Sequence, residues 1–227
     1  MLPILCYHKV GPASIEGRWL NIEPRRLDAH VRFFVRNGYQ FMRAEELAEL
    51  FPSRAVCFTF DDAYHSALTL GLDVLRKHRV TGTFYAVPAL VGASSTWDGA
   101  RAKLLARWEL LLEAQRDGFE VGNHTWSHAD LSDLSLEAQI DEWRRADEEF
   151  LRRGVSAQSL CYPYGRLNGE SVSAARAAGA KVAVALAKRP ATPQDDRLRL
   201  PRIAIAYSDG LPKLLYKLHV RPRLKGA

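Results

Sequence analysis

Short apolar segments alternate with helix-forming segments along most of this chain, and no other feature restricts its fold as strongly. Strand-like segments are expected at residues 3–7, 55–60, 83–87, 119–122, 159–162 and 182–186. Helical segments are expected at residues 24–37, 44–51, 65–78, 101–116, 135–152 and 169–178. Strands that alternate with helices are usually parallel and joined by right-handed crossovers. The pattern therefore predicts an α/β fold, either a barrel or an open sheet.

Residues with catalytic chemistry follow three of these predicted strands. Residues 55–60 are apolar on both faces, as a buried parallel strand should be, and Asp61 and Asp62 come directly after them. His124 follows a second strand and Tyr164 follows a third. Because catalytic groups of such folds lie at the C-terminal ends of strands, the three positions predict one shared site.

Length and composition describe an ordinary soluble globular protein. The chain has 227 residues, which is enough for one well-buried core, and it is 47% hydrophobic and 26% charged. No segment approaches the ~18 consecutive apolar residues of a membrane span. No domain boundary is visible, so we expect residues 1–227 to form a single domain with a basic C-terminal tail at about residues 211–227.

The net charge of +6 is concentrated in that tail, whose basic residues are Lys213, Lys217, Arg221, Arg223 and Lys225. One interpretation is a solvated basic tail. The other is attraction to an anionic membrane surface or to a phosphorylated substrate. No recognised nucleic-acid motif occurs, so we expect no nucleic-acid partner.

The N-terminus and the cysteines predict the compartment. The first eight residues have no basic n-region and no long apolar stretch, so they are not typical of a signal peptide. Cys6, Cys57 and Cys161 form an odd set without a Cys-x-x-Cys motif, which favours small buried hydrophobic residues over disulfides or metal ligands. We therefore expect a cytoplasmic protein, either free or peripheral at the inner face of the membrane.

Two adjacent aspartates and a His-x3-His pair are what a one-metal hydrolase requires. The spacing of His124 and His128 can bring both rings to one ion. With one aspartate they make three protein ligands, which leaves a position open, as in catalytic metal sites. We assign Asp62 as the ligand and Asp61 as the base, although chemistry alone also allows the reverse. Zinc is the default ion, and cobalt, nickel or iron could occupy the same ligands.

Several motifs resemble one known family. They are Thr59-Phe60-Asp61-Asp62, His124-Thr125-Trp126-Ser127-His128 and Tyr162-Pro163-Tyr164-Gly165. Together they resemble the polysaccharide deacetylases, also called carbohydrate esterase family 4 or NodB-homology proteins. Two further motifs resemble the branch related to poly-N-acetylglucosamine deacetylases, namely Tyr7-His8-Lys9-Val10 and Leu200-Pro201-Arg202-Ile203. The resemblance covers nearly the whole chain.

The resemblance implies a distorted (β/α)7-type barrel of the NodB-homology fold, a zinc-like ion, and hydrolysis of an N-acetyl group from an amino sugar. By position, Asp61 matches the family's general base and Asp62 its metal-ligand aspartate. His124 and His128 match its metal-ligand histidines. Tyr164 matches the residue whose backbone N–H contributes to the oxyanion hole.

The chain departs from the family pattern at the residue that braces the base. The third motif usually begins with an arginine, but Cys161 stands there and cannot pair with a carboxylate. We expect Arg202, after a late strand-like segment, to take its place, the alternative being a surface arginine near a loop. The fourth motif, with its Asp-Trp pair, is not evident at residues 194–200.

The proton donor has two candidates. His8 lies at the end of the first predicted strand, and we favour it. His219 occupies the position of the family's C-terminal Leu-His motif, but residues 213–220 have the pattern of an amphipathic helix. His219 would then be a cation at a helix end rather than a catalytic residue.

Three hypotheses for function follow. The first is a metal-dependent hydrolase that removes an N-acetyl group from an amino sugar in a polysaccharide or in a lipid-linked or nucleotide-linked glycan. The second keeps the chemistry and changes the substrate to a formyl group or another C–N bond of a small molecule. The third is a catalytically inactive glycan-binding protein.

Overall fold

Strands and helices alternate through the chain, as the sequence pattern predicts. The computed structural model describes residues 1–224. The strands are β1 (Ile4–Tyr7), β2 (Lys9–Val10), β3 (Asn21–Ile22), β4 (Gln40–Met42), β5 (Ala55–Phe60), β6 (Thr83–Ala86), β7 (Glu120–Asn123), β8 (Ser159–Cys161), β9 (Val182–Ala187) and β10 (Leu200–Ala204). The helices are α1 (Ala13–Glu16), α2 (Pro24–Arg36), α3 (Leu72–Lys77), α4 (Trp108–Arg116), α5 (Leu136–Arg152), α6 (Ser171–Ala177), α7 (Leu211–Leu215) and α8 (Arg221–Leu224). Short 3-10 or π-helical segments lie at Glu45–Ala48, Ala67–Gly71, Pro88–Leu90, Thr96–Arg101, Leu131–Asp133, Pro163–Gly165, Arg197–Arg199 and Tyr216–Val220.

Seven parallel strands close into a barrel. Their hydrogen-bonded order is β1, β10, β9, β8, β7, β6 and β5, and β5 pairs again with β1. Strand β4 adds to the first half of β5, and β2 pairs with β3 in a separate two-stranded sheet. This arrangement confirms the predicted α/β class and the distorted (β/α)7-type barrel.

The two faces of β5 show how the barrel is filled. Val56, Phe58 and Phe60 join an aromatic-rich core with residues of the surrounding helices, whereas Cys57 belongs to a separate core inside the barrel. Side chains alternate across a strand, so residue 59 and the first residue after the strand share the face of Cys57. The alternation of side chains along β5 is therefore enough to point Asp61 into the barrel.

Small side chains make room inside the barrel. Cys6, Cys57 and Cys161 are all buried with free thiols, as the sequence predicts. Gly122 on β7 lies against the ring of Tyr85, and a Cβ at this glycine would come within 2.5 Å of that ring. The interior can therefore hold the large ring of Tyr85 and, against its face, the long charged side chain of Arg202.

Helix α2 shows how local sequence positions the outer layer. Pro24 occupies its first turn, where a missing N–H has no cost. Leu27, Val31 and Phe34 lie on one face and are buried against the barrel core. Gly38, with a φ of 67°, ends the helix in the left-handed conformation that glycine adopts readily.

The helix predicted for residues 101–116 begins only with α4. Before it, Leu104 and Leu105 form antiparallel bridges with loop residues Ser94 and Tyr64. The backbone groups of this apolar segment find partners in distant loops rather than within a helical turn. These long-range pairings outweigh the local preference for a helix, so the predicted start of the helix at residue 101 was wrong.

Two other expectations differ in detail. The helix expected at residues 44–51 is a single 3-10 segment at Glu45–Ala48, because Pro52 disfavours helical backbone just before it. The basic tail is helical from Leu211 to Leu224, and Lys225 lies outside the described residues. Within residues 1–224, no helix combines the length and apolar character that crossing a membrane would need.

Glu120, at the start of β7, is a buried carboxyl group near the beginning of the barrel strands. Its Oε2 accepts hydrogen bonds from Thr83 Oγ1 at 2.7 Å and from the N–H of Glu45 at 3.0 Å. Its Oε1 has no hydrogen-bond partner among the described residues. Burial raises the pKa of Glu120 from 4.5 to about 7, despite hydrogen bonds that act in the opposite direction.

We predict that the free energy of unfolding falls as pH rises from about 4.5 to about 7, because the unfolded chain gives up the Glu120 proton first. The contribution is about 3 kcal/mol at most. Glu120→Gln should therefore be more stable than the native protein at pH 8 and similar to it at pH 4.5. Urea unfolding at both pH values measures the difference, with exposed Glu109→Gln as the control. Equal pH dependence of the native protein and Glu120→Gln would contradict the prediction.

Candidate active site

The predicted site residues meet at the carboxyl end of the barrel. Asp61 and Asp62 directly follow β5, and His124 directly follows β7. His128 lies four residues further on, in the loop that leads to α5. All four side chains are buried, and all four line one cavity of about 360 Å³.

Left-handed backbone conformations are concentrated around this cavity. Asp62 and Ala63 have φ values of 68° and 49°, Thr125 and His128 of 66° and 63°, and Tyr164 of 58°. Residues other than glycine rarely adopt these values, and each costs of the order of 1–3 kcal/mol unless the surroundings compensate. At Asp62 this turn redirects a side chain that the strand would have pointed outwards. Two adjacent aspartates can thereby line the same cavity.

Asp62, His124 and His128 form the best candidate metal-binding group. Asp62 Oδ1 lies 3.2 Å from Nε2 of His124 and 3.2 Å from Nε2 of His128. This oxygen is buried and has no hydrogen-bond partner among the described residues. His124 Nδ1 lies 2.8 Å from the carbonyl oxygen of Cys161, which can only accept, so Nδ1 carries the proton and Nε2 keeps its lone pair. Three donor atoms therefore converge without satisfying one another, as metal ligands do.

The protonation states of this group also fit a metal ion. Burial acts to raise the pKa of Asp62, but the two neighbouring histidines outweigh it and hold that pKa well below 3.8. Burial lowers the pKa of His128 below 6.5 despite the nearby carboxylate. One carboxylate and neutral imidazoles are the donor set that zinc and related ions bind. The group could therefore hold a divalent metal ion.

Asp61 makes a two-point ion pair with Arg202 inside the barrel. Arg202 Nη1 donates to Asp61 Oδ1 at 2.6 Å, and Nη2 donates to Oδ2 at 2.7 Å. The same guanidinium donates to Thr59 Oγ1 at 2.9 Å and to Cys161 Sγ at 3.0 Å. The Arg202 side chain is fully buried, with its guanidinium 5.7 Å from the ring centre of Tyr85. Arg202 is thus an interior residue rather than a surface arginine.

Arg202 keeps Asp61 ionised and binds both of its carboxylate oxygens. Burial acts to raise the pKa of Asp61, but the Arg202 guanidinium outweighs it and lowers that pKa to about 2. Two other groups of potential ligands include Asp61, one with Cys6 and His8 and one with His124 and Cys161. Burial raises the pKa of both thiols, and Cys161 Sγ already accepts a hydrogen bond from Arg202. The arrangement favours Asp62 over Asp61 as the metal ligand.

The two candidate proton donors lie in different environments. His8 is half-buried, lines the cavity with Asp61 and Asp62, and has an Nδ1 without a hydrogen-bond partner in residues 1–224. His219 is exposed on the π-helical segment Tyr216–Val220 and is not among the residues that line the cavity. Only His8 is therefore positioned to reach a substrate bound beside the aspartates.

Aromatic rings hold His128 in place from two sides. The ring of Trp97 stacks on it with a centre-to-centre distance of 3.8 Å, and the ring of Tyr164 approaches edge-on at 4.6 Å. Tyr164 is 44% exposed, so its ring also forms part of the cavity wall. Gly165 follows with a φ of 66°, and a Cβ there would meet Leu186 at 2.4 Å. The Tyr164-Gly165 turn is therefore fixed tightly beside the metal-binding group.

Sequence reasoning missed other residues of the cavity wall. Trp19, Asp98 and Arg101 all line it. The Asp98 carboxylate accepts hydrogen bonds from Tyr64 Oη and, at 2.7 Å, from Ser95 Oγ. Asp98 and Arg101 belong to the kinked 3-10 segment Thr96–Arg101, and Trp19 lies in the turn before β3. None of the three is part of a recognisable motif, so the only sequence signal was Trp97, in a segment that contains glycine and serine.

The chain is similar in sequence to known deacetylases. A family model described as polysaccharide deacetylase matches residues 49–183. A Bacillus subtilis (strain 168) protein, YxkH, named as a polysaccharide deacetylase, is 26% identical over 214 residues, covering 90% of this chain and 71% of the relative. The poly-beta-1,6-N-acetyl-D-glucosamine N-deacetylase of Staphylococcus aureus (strain MRSA252) is 21% identical over 228 residues, covering 89% of this chain and 78% of the relative.

Solved structures agree on the fold. The Streptococcus pyogenes deacetylase PplD, determined in complex with acetate, superposes with a TM-score of 0.80 at 23% identity. The match covers 95% of this chain and 97% of the other. Because the family model spans more than half of the 227 residues, the chain belongs to the polysaccharide deacetylase family and is a hydrolase, a carbohydrate N-deacetylase.

Proposed function

We propose that the protein is a metal-dependent hydrolase that removes the N-acetyl group from an amino sugar in a polysaccharide or in a lipid-linked or nucleotide-linked glycan. The proposal rests on one observation, namely that two adjacent aspartates line the same cavity but have different partners. Asp62 converges with His124 and His128 on a potential metal position, whereas Asp61 is held by Arg202. A one-metal hydrolase needs one carboxylate for each of these two tasks.

Asp62, His124 and His128 would hold the ion, with zinc as the default. Such an ion supplies Lewis-acid polarisation of a carbonyl oxygen and lowers the pKa of water. Cobalt, nickel and iron suit the same donors, so the choice among them depends on geometry and supply.

The remaining steps belong to residues of this chain. Asp61, ionised and oriented by Arg202, takes a proton from the water that attacks the acetyl carbonyl carbon. The backbone N–H of Tyr164 stabilises the oxyanion, an effect worth roughly 3–4 kcal/mol per donor in other enzymes. His8 in its protonated form donates to the departing nitrogen as the C–N bond breaks. The products are acetate and a free amine.

Two alternatives remain outcomes of experiment. A protein that releases formate from a formamido sugar but no acetate would be a deformylase. A protein that binds acetylated glycans without hydrolysing them, even when loaded with metal, would be an inactive carbohydrate-binding protein. A cytoplasmic location remains a prediction from the sequence, as does attraction to an anionic membrane surface.

We predict that Asp61→Asn lowers the rate of acetate release by about 10²–10⁴-fold, because it removes the base that accepts the proton from water. Acetate release from a panel of N-acetylated sugars measures the effect. The metal content should stay unchanged, since Asp61 is not a proposed ligand. The control is Asp133→Asn, which changes an exposed aspartate on the Leu131–Asp133 turn. Full activity of Asp61→Asn would refute the assignment.

We predict that His124→Ala and His128→Ala each lose most of the bound metal and of the activity, because each removes one of three ligands. Elemental analysis of the purified protein measures the metal content. Adding back zinc should raise the melting temperature of the native protein after chelation but leave that of the variants nearly unchanged. His219→Ala, which changes an exposed histidine, is the control. Metal retention in both site variants would rule out this ligand set.

We predict that Arg202→Met lowers the free energy of unfolding by about 3–5 kcal/mol, because it leaves the Asp61 carboxylate buried without its counter-charge. Met fills much of the same volume, so loss of charge is the main change. The double variant Arg202→Met/Asp61→Asn should lose less stability than the two single losses added together. Arg152→Met, which breaks an exposed pair with Glu149, should cost about 0–1 kcal/mol. If the losses in the free energy of unfolding of the two single variants simply add up in the double variant, this account is wrong.

A further inference from the structure

A second cavity of about 430 Å³ adjoins the active-site cavity. Four residues line both, namely Trp19, Leu20, Leu186 and Ala204. Leu20 has a left-handed φ of 47°, so the shared wall contains another of the strained positions that surround the site. The two cavities therefore lie side by side at the same end of the barrel.

The active-site cavity is lined by acidic and basic residues, whereas the charged residues of the second cavity are all basic. The second cavity is lined by four basic residues, Arg18, Lys188, Lys217 and Arg221, and by no carboxylate. Lys217 is already paired with the buried Asp209. In residues 1–224, no carboxylate oxygen lies within 4.0 Å of the charged atoms of the other three. Several uncompensated cations around one concave surface make a site for an anion.

Aromatic contacts position one arginine of each cavity without using its hydrogen-bond donors. The Arg18 guanidinium lies 5.4 Å from the ring centre of Tyr207, and Arg101, in the active-site cavity, lies 5.4 Å from the ring centre of Trp19. A guanidinium held by a ring face keeps its N–H groups available for a planar or tetrahedral anion. Ile203 and Ile205 supply an apolar floor beneath them.

We propose that the second cavity binds a phosphate group covalently attached to the sugar whose acetamido group is hydrolysed. The proposal rests on the proposed function and narrows its substrate class to sugar phosphates, including nucleotide-linked and lipid-linked sugars. Arginine and lysine together are typical phosphate ligands. A partly deacetylated polymer carries ammonium groups, and the same cations would repel it.

Binding to the Asp61→Asn protein tests the proposal without requiring turnover. Isothermal titration with N-acetylglucosamine 1-phosphate and with N-acetylglucosamine compares ligands that differ in the phosphate alone. We expect the phosphate to tighten binding by about tenfold or more, and the gain to shrink as salt concentration rises. Arg18→Glu and Lys188→Glu should each remove most of the gain. UDP-N-acetylglucosamine and a short polyprenyl-diphosphate N-acetylglucosamine then show which phosphate source binds most tightly.

Matched charge reversals elsewhere on the barrel serve as controls. Arg36 at the end of α2 and Lys181 just before β9 are exposed and lie towards the opposite end of the strands. Arg36→Glu and Lys181→Glu should leave the phosphate gain unchanged. The proposed phosphate site is wrong if the two sugars bind with equal affinity, or if the control variants lose as much of the phosphate-dependent gain in affinity as Arg18→Glu and Lys188→Glu do. If these results hold but metal-loaded native protein releases no acetate from any sugar, the proposed function fails while the phosphate site stands.

Discussion

The buried ion pair between Arg202 and Asp61 is the interaction on which the rest of the site depends. Asp61 follows β5 and Arg202 lies on β10, and β1 runs between these two strands in the barrel. Cys6 of β1 also contacts Asp61, with its Sγ 3.3 Å from Oδ2. Such a pair is weak evidence for net stability, since desolvation offsets its attraction. Its effect is to hold one carboxylate ionised, oriented and separate from the candidate metal-binding group of Asp62, His124 and His128.

The alternation of segments predicted the α/β class because strand and helix periods are local properties of the sequence, whereas the choice of a barrel over an open sheet came from the family resemblance. The four acidic and histidine positions were predictable because each follows a strand or lies in the loop beyond it. The extended segment before α4 was not predictable, since Leu104 and Leu105 pair with distant loops. Trp19 lies in the connection between β2 and β3, and Asp98 in the connection between β6 and α4, where no regular period constrains position. The chemical roles of all these residues remain proposals.

The small thiol of Cys161 constrains how such a site can change over evolutionary time. In the family pattern an arginine stands at this position, whereas here the guanidinium that neutralises Asp61 comes from β10 and contacts Cys161 Sγ at 3.0 Å. If residues 161 and 202 change one at a time, the protein that carries only the first change has arginine either at both positions or at neither. Arginine at both positions crowds like charges, and arginine at neither leaves a bare carboxylate in the barrel. Residues 161 and 202 are therefore expected to be exchanged together, as one inherited unit.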